Sequence, residues 1–321
     1  MQKMMQDRAR ELLSSGKVDR VLGWIEGDFV YDVTPHVFRE NDIDQLIYHS
    51  FASQNLSKYL VGETKKDGVI AVFLRPCDSY SFVQLLKEHR FDREKVYAIA
   101  IPCLGKVDAE DLRAMGIRGI TGVTDGKERI ILHTLYGDVE KEKSEVIAER
   151  CRKCRGVHAP YFDERLGEEL TKEPLTDRFE MVEKLEKMTA EERFAFWQDE
   201  LSRCIRCNAC RNVCPACTCE KCVFDNAASG IENKAPASSF EEQNFHIIRA
   251  FHVAGRCTDC GQCSRVCPQG IPLHLLNRKF IKDINSCYGE YRAGADLEEK
   301  APLNRFDVDD CEPGDVVGKG E

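Results

Sequence analysis

The sequence predicts an α+β chain, with a small N-terminal α/β unit holding a partly parallel sheet and a mostly α-helical unit after it. Within residues 1–150, short apolar runs alternate with stretches of helical spacing, the pattern of strands joined by crossover helices. From about residue 188 the strand-like runs stop and capped helices replace them. Composition changes earlier, at residue 151: of 17 cysteines, only Cys77 and Cys103 precede it. A length of 321 residues with 42% hydrophobic content is enough to bury the cores of two such units.

The first unit opens with a helix over residues 2–14, closed by Gly16 as a C-cap. Asp19–Ile25 and Asp28–Tyr31 read as strands about a glycine turn, followed by a helix near Asn55–Leu60. The run Gly68–Leu74 is a buried strand. Phe82, Leu85 and Leu86 then fall at helical spacing behind Asp78 as N-cap. Val96–Ile101 is a second apolar strand, Asp108–Met115 a helix and Arg129–Thr134 a closing strand. The unit is placed at residues 1–150, with a charged, cysteine-containing linker over 151–187. In the second unit, at 188–290, capping boxes Thr189–Glu192 and Ser239–Glu242 open helices over 191–203 and 241–254. A third helix carries Pro272 in its first turn and runs to about Ser286. The acidic remainder, 291–321, is expected to be mobile or wrapped on a partner.

No apolar run is long enough to cross a bilayer, and the charged first ten residues have no signal-peptide core behind them. Abundant cysteine without a secretion signal points to a reducing, cytoplasmic setting and to metal ligation rather than disulfides. A net charge of −9 without a basic stripe argues against nucleic-acid binding.

The strongest signal is an internal repeat. Cys204-x-x-Cys207-x-x-Cys210-x-x-Val213-Cys214-Pro215 recurs, offset by 53 residues, as Cys257-x-x-Cys260-x-x-Cys263-x-x-Val266-Cys267-Pro268. Three thiolates on one tight loop can hold three corners of a cubane, and in two-cluster ferredoxins the fourth cysteine ligates the other cluster. The expected sets are therefore Cys204, Cys207, Cys210 and Cys267 for one 4Fe-4S cluster, and Cys257, Cys260, Cys263 and Cys214 for a second. Two zinc sites or plain thiols are the alternatives. With helices before both runs and a long insertion between them, residues 188–285 resemble the α-helical ferredoxin domain of respiratory and heterodisulfide-reductase iron–sulfur subunits.

Cys217, Cys219 and Cys222 crowd the first run, and the Cys-Pro-x-Cys-x-Cys stretch resembles sulfhydrogenase beta subunits and the A subunit of anaerobic sulfite reductase. These thiols are either additional ligands tuning a cluster or spare thiols beside it. Cys77, Cys103, Cys151 and Cys154 form a further set of four. The first two follow the ends of apolar strands, where open α/β sheets place their sites. This set is a candidate third 4Fe-4S cluster, a four-cysteine zinc site, or unconnected thiols. Residues 67–168, with Pro160-Tyr-Phe-Asp163 and Gly167 behind the Cys151–Cys154 pair, resemble the beta subunits of deazaflavin-reducing hydrogenases and related formate dehydrogenases. That resemblance implies FAD, but Gly116–Gly122 has the wrong spacing for a dinucleotide turn. The expectation places flavin on a partner subunit rather than on this chain.

His246 and His252 read as surface or core residues, Cys287 and Cys311 as isolated thiols, and Trp24 and Trp197 as core. The reading as a whole is an iron–sulfur electron-transfer subunit of a multi-subunit anaerobic oxidoreductase, carrying electrons rather than performing the terminal catalysis. Its expected partners are flavin-containing and hydrogenase-, formate dehydrogenase- or heterodisulfide-reductase-like subunits. A self-contained FAD and iron–sulfur reductase and a zinc-stabilised interaction module are the alternatives.

Overall fold

The computed structural model describes residues 1–156, 158–169, 177–225 and 239–305. It is a mixed α/β chain with parallel strands in the N-terminal sheet and a helical C-terminal region. The main sheet has the order β2-β1-β3-β4-β8, with β1 Arg20–Glu26, β2 Val33–Phe38, β3 Ile70–Leu74, β4 Val96–Ala100 and β8 Glu164–Arg165. Strands β1, β3, β4 and β8 run parallel, and β2 pairs antiparallel with β1. Every residue of β3 is buried, as a continuous apolar run in a covered parallel sheet requires. The longer helices of the first unit are α1 (Gln2–Ser14), α2 (Pro76–Lys87) and α3 (Ala109–Ala114).

Several boundaries depart from expectation. Asp28–Tyr31 is not a strand: Gly27 N–H reaches Asp32 O at 2.6 Å, and the second strand begins at Val33. That strand contains Pro35, which an edge strand tolerates because one side of it needs no donor. Helix α2 starts at Pro76, two residues before the expected cap. Asp78 instead occupies the third helical position and accepts from Arg75 N–H at 3.2 Å. Strand β6 (Arg129–Thr134) is not a lone closing strand but the centre of a second, antiparallel sheet between β5 (Ile120–Asp125) and β7 (Val139–Glu142). The stretch expected as linker is partly built into the first unit, because β8 pairs Glu164 and Arg165 with Ile99 and Ala100.

In the second unit, α4 (Glu180–Glu186) precedes α5 (Ala190–Ser202), whose Thr189 and Glu192 cap each other reciprocally. A short helix α6 (Ala209–Val213) follows the first cysteines, and the long α7 (Ser239–His252) and α8 (His274–Tyr288) pack together. Pro272 lies just ahead of α8 rather than within it. The side chain of Ser239, the expected cap of α7, lies outside the described residues, as do residues 306–321 with Cys311. The described start of the C-terminal segment is packed: Tyr291, Ala293 and Ala301 share a small core with Ile284, and Arg292 lies 3.5 Å from the Tyr80 ring centroid.

Candidate metal centres

The two cysteine loops repeat the same pair of left-handed turns. Arg206 (φ 53°) and Asn208 (φ 61°) in the first match Asp259 (φ 56°) and Gly261 (φ 66°) in the second, each pair 53 positions apart. Left-handed backbone is uncommon for non-glycine residues, and three of these four are not glycine. Alternating backbone of this kind turns successive N–H groups inward as an anion-binding nest. In the first loop, Arg206 N–H points at Cys204 Sγ at 3.4 Å. In the second, the backbone N–H groups of Asp259, Gln262 and Ser264 lie toward Cys257, Cys260 and Cys263 and oppose the effect of burial on those thiols.

The thiols converge by the interleaved pattern. Cys204, Cys207, Cys210 and Cys267 line one cavity beneath Phe245, His246, Ile271 and Leu273. Cys214 leaves its own run and packs with Cys257 against Val253, within electrostatic reach of Cys260 and Cys263. Burial pushes the Cys204 thiol up to about 12 and Cys210 to about 11, and raises Cys257, Cys260 and Cys263 as well. Metal loading must therefore displace thiol protons. Four soft donors per site, inward N–H groups and an apolar surround suit a cubane iron–sulfur group.

Cys77, Cys103, Cys151 and Cys154 also line a single cavity, together with Arg75, Lys106 and Arg150. Cys77 occupies the first turn of α2, and Cys103 follows β4, so both lie at the same sheet edge as β3 and β4 run parallel. The short helix Glu149–Arg152 brings Cys151, and Gly156 N–H turns back to Cys154 Sγ at 3.2 Å. Arg75 is buried and holds Asp78 through Nε (2.6 Å) and Nη2 (3.0 Å), with Ala52 O at 2.7 Å and Gln54 O at 2.6 Å. Burial pushes the Cys77 thiol well up and Lys106 down to about 8. Cations around four thiolates offset the negative charge that a bound cluster or zinc would carry.

This cavity is shared between the units. Cys260 and Gln262 of the second loop also line it, and Gln262 Nε2 donates to Ser53 O at 2.6 Å. An adjoining cavity carries Cys77 and Cys154 on one side and Cys257 on the other.

Cys217, Cys219 and Cys222 face elsewhere, into an open cavity of about 780 Å³ lined by Lys58, Arg90, Arg211, Arg249 and Arg256. Most of these cations are already engaged. Arg256 pairs with Glu88 and Arg211 with Asp225, while Lys58 Nζ donates to Arg211 O and Cys217 O. Cys217 packs against Cys214, and the neighbouring thiol holds Cys214 below the ordinary thiol range. Cys219 and Cys287 are exposed. Three residues that carry electrostatic weight at the first and second loops have no sequence motif. His246 is 1% exposed, its Nε2 lies 3.2 Å from Cys204 Sγ, and burial pulls it down to about 3. Glu242 lies with them, and Arg249 is buried behind the loops. His252 instead lines the open cavity.

No helix among the described residues is long and apolar enough to cross a membrane. The family described as 4Fe-4S dicluster domain matches residues 200–271, which hold both runs. The beta subunit of F420-dependent formate dehydrogenase from Methanocaldococcus jannaschii is 24% identical over 343 residues, covering 89% of each chain. That of F420-dependent formate dehydrogenase 1 from Methanococcus maripaludis is 27% identical, covering 91% of this chain and 90% of its own. A chain of the F420-reducing NiFe hydrogenase complex from Methanosarcina barkeri aligns with 47% of this chain at 15% identity and a TM-score of 0.37, and the alignment spans 58% of that hydrogenase chain. The chain is thus an iron–sulfur electron-transfer protein with a 4Fe-4S dicluster domain, similar along most of its length to beta subunits of F420-dependent formate dehydrogenases.

Proposed function

We propose that the chain passes single electrons through two 4Fe-4S clusters in its helical unit and a third in its α/β unit, as a subunit of a multi-subunit anaerobic oxidoreductase. Cys204, Cys207, Cys210 and Cys267 hold one cluster, Cys257, Cys260, Cys263 and Cys214 the next, and Cys77, Cys103, Cys151 and Cys154 the third. The observation that carries this reading is the common wall, since Cys260 lines the cavity of the third thiol set. A path runs from the sheet edge through the second loop to the first. When bound, each cluster takes up and gives back one electron. The chain's own part is to hold thiolates, aim backbone N–H groups at sulfur, exclude water and set the local charge.

The relatives' names support a formate dehydrogenase type of complex, and the neighbour proposed to exchange electrons with this chain is a flavin-containing subunit. Anaerobic iron and acid-labile sulfide quantitation with redox-titrated EPR tests the proposal. Roughly twelve irons per chain supports three clusters and roughly eight removes the third. Zinc without iron or sulfide overturns the reading in favour of a zinc-stabilised module.

A further inference from the structure

Arg249 is the buried charge that the dicluster frame does not require. It is 2% exposed, and none of its three guanidinium nitrogens has a hydrogen-bond partner among the described residues. A buried guanidinium without an acceptor is costly, so a native one implies an anion that the protein atoms alone do not supply. Its place on α7 indicates where that anion lies. Phe245 and Arg249 are four apart on one face of α7, and Val253, four further on, directly follows its last residue. Phe245 packs in the core containing Cys210 and Cys263, with Cys204 and Cys267 against it. Val253 packs against Cys214, Cys217 and Cys257. Arg249 therefore sits midway along a stripe whose two ends cover the two thiol sets.

Its electrostatic neighbours agree with that position. They are the sulfurs of Cys263, Cys214, Cys210 and Cys217. Those neighbours include Cys210 from one ligand set and Cys214 and Cys263 from the other. The repeat sharpens the point, because the residue 53 positions before Arg249 is Phe196. The first copy of the module thus has no matching arginine.

We propose that Arg249 is a positioning residue shared by both clusters: its N–H groups donate to sulfur on each and raise both reduction potentials. This rests on the ligand sets proposed above. A 4Fe-4S core with four thiolates carries about −2, so one fixed cation faces roughly four negative charges. A cation held out of water favours the reduced, more negative state of each cluster. The fork of guanidinium donors suits two acceptors at once, whereas a lysine ammonium is a point charge.

The test uses the full chain, loaded anaerobically, as wild type, Arg249→Gln and Arg249→Lys, with iron and sulfide content and redox-titrated EPR on each. The expected result for Arg249→Gln is an unchanged iron count with both helical-unit clusters harder to reduce. At a fixed potential the reduced-to-oxidised ratio should fall at least tenfold, which is about 59 mV for a one-electron couple. Arg249→Lys should restore part of that shift. Full iron with both potentials unmoved overturns the proposal, and a shift in one cluster alone overturns the shared role. Should Gln lose iron, Lys is read by the same criterion, and loss from both variants rejects tuning in favour of a purely structural residue. A wild-type chain without iron or sulfide is a different failure, that of the ligand sets themselves.

Discussion

Gly261→Ala offers a sharp test of how the second cysteine loop is seated against the α/β unit. Gly261 has φ +66°, and a Cβ added there would meet Arg150 Cβ at 2.8 Å and Cδ at 2.9 Å. The Arg150 side chain cannot readily move aside, since it is clamped onto Asp108 and the nearer clash is with its own Cβ. Left-handed backbone costs alanine about 1–2 kcal/mol, offset by about 0.4–1 kcal/mol from the unfolded chain. Overpacking of this kind adds about 1–3 kcal/mol. Gly270 supplies the control, with φ +62° and open space where a Cβ would stand, so Gly270→Ala carries the backbone part alone. The expected losses are roughly 2–4 kcal/mol for Gly261→Ala against about 1 kcal/mol for Gly270→Ala. At about 2 °C per kcal/mol for a chain of this size, Tm should separate by several degrees in anaerobic melts of loaded protein. Iron should also fall selectively in Gly261→Ala, because Arg150 lines the third thiol cavity. Equal Tm values for the two variants would refute the wedge between Gly261 and Arg150.

Cys77→Ala and Cys154→Ala should each remove roughly four irons per chain while leaving the signals of the two repeated loops, as read by iron analysis and EPR. Arg75→Lys should destabilise by about 3 kcal/mol or more, because one ammonium cannot serve Asp78 and the carbonyls of Ala52 and Gln54 together; denaturant midpoints measure this. His274 is held down to about 4, chiefly by burial with Arg278 adding to it. Its folded value lies below its unfolded one, so its contribution is full above about pH 6.5 and is lost as pH falls towards 4, by roughly 3 kcal/mol in all. In His274→Asn that dependence disappears, and urea midpoints of the two chains compared between pH 7 and 4.5 should show the wild type losing the additional stability.

The cysteine loops were legible because a cubane imposes its geometry on consecutive residues, so ligand spacing is written into the chain itself. The third set was legible in part for a similar reason: β3 and β4 end side by side, and a proline-cysteine pair after a buried run marks that edge. Other features depend on pairings that local pattern does not encode. Strand β5 is half-exposed with little apolar alternation and β7 is half-exposed and charged, and they are strands only because β6 lies between them. Strand β8 has two residues, too short for any periodicity. Asp78 resembled an N-cap, yet Arg75 buried beneath it moved the helix start back to Pro76. His246 and Arg249 sit on an ordinary amphipathic helix, and only packing shows that their neighbours are sulfurs. An arginine midway between Phe245 and Val253 was the available hint.

The wall that Cys260 and Gln262 share with the sheet edge bears on modularity. The 53-residue repeat looks like a portable cassette, one that could be excised, fused to another enzyme or exchanged between chains. Yet Gln262 is anchored on Ser53 O, and Arg278 reaches both Asp259 of the cassette and Glu149 outside it. Cutting at the boundary would strip a cysteine-bearing loop of its outer insulation and open a buried arginine to water. The duplicated segment can be inherited as a unit, but in this chain it is wired in place.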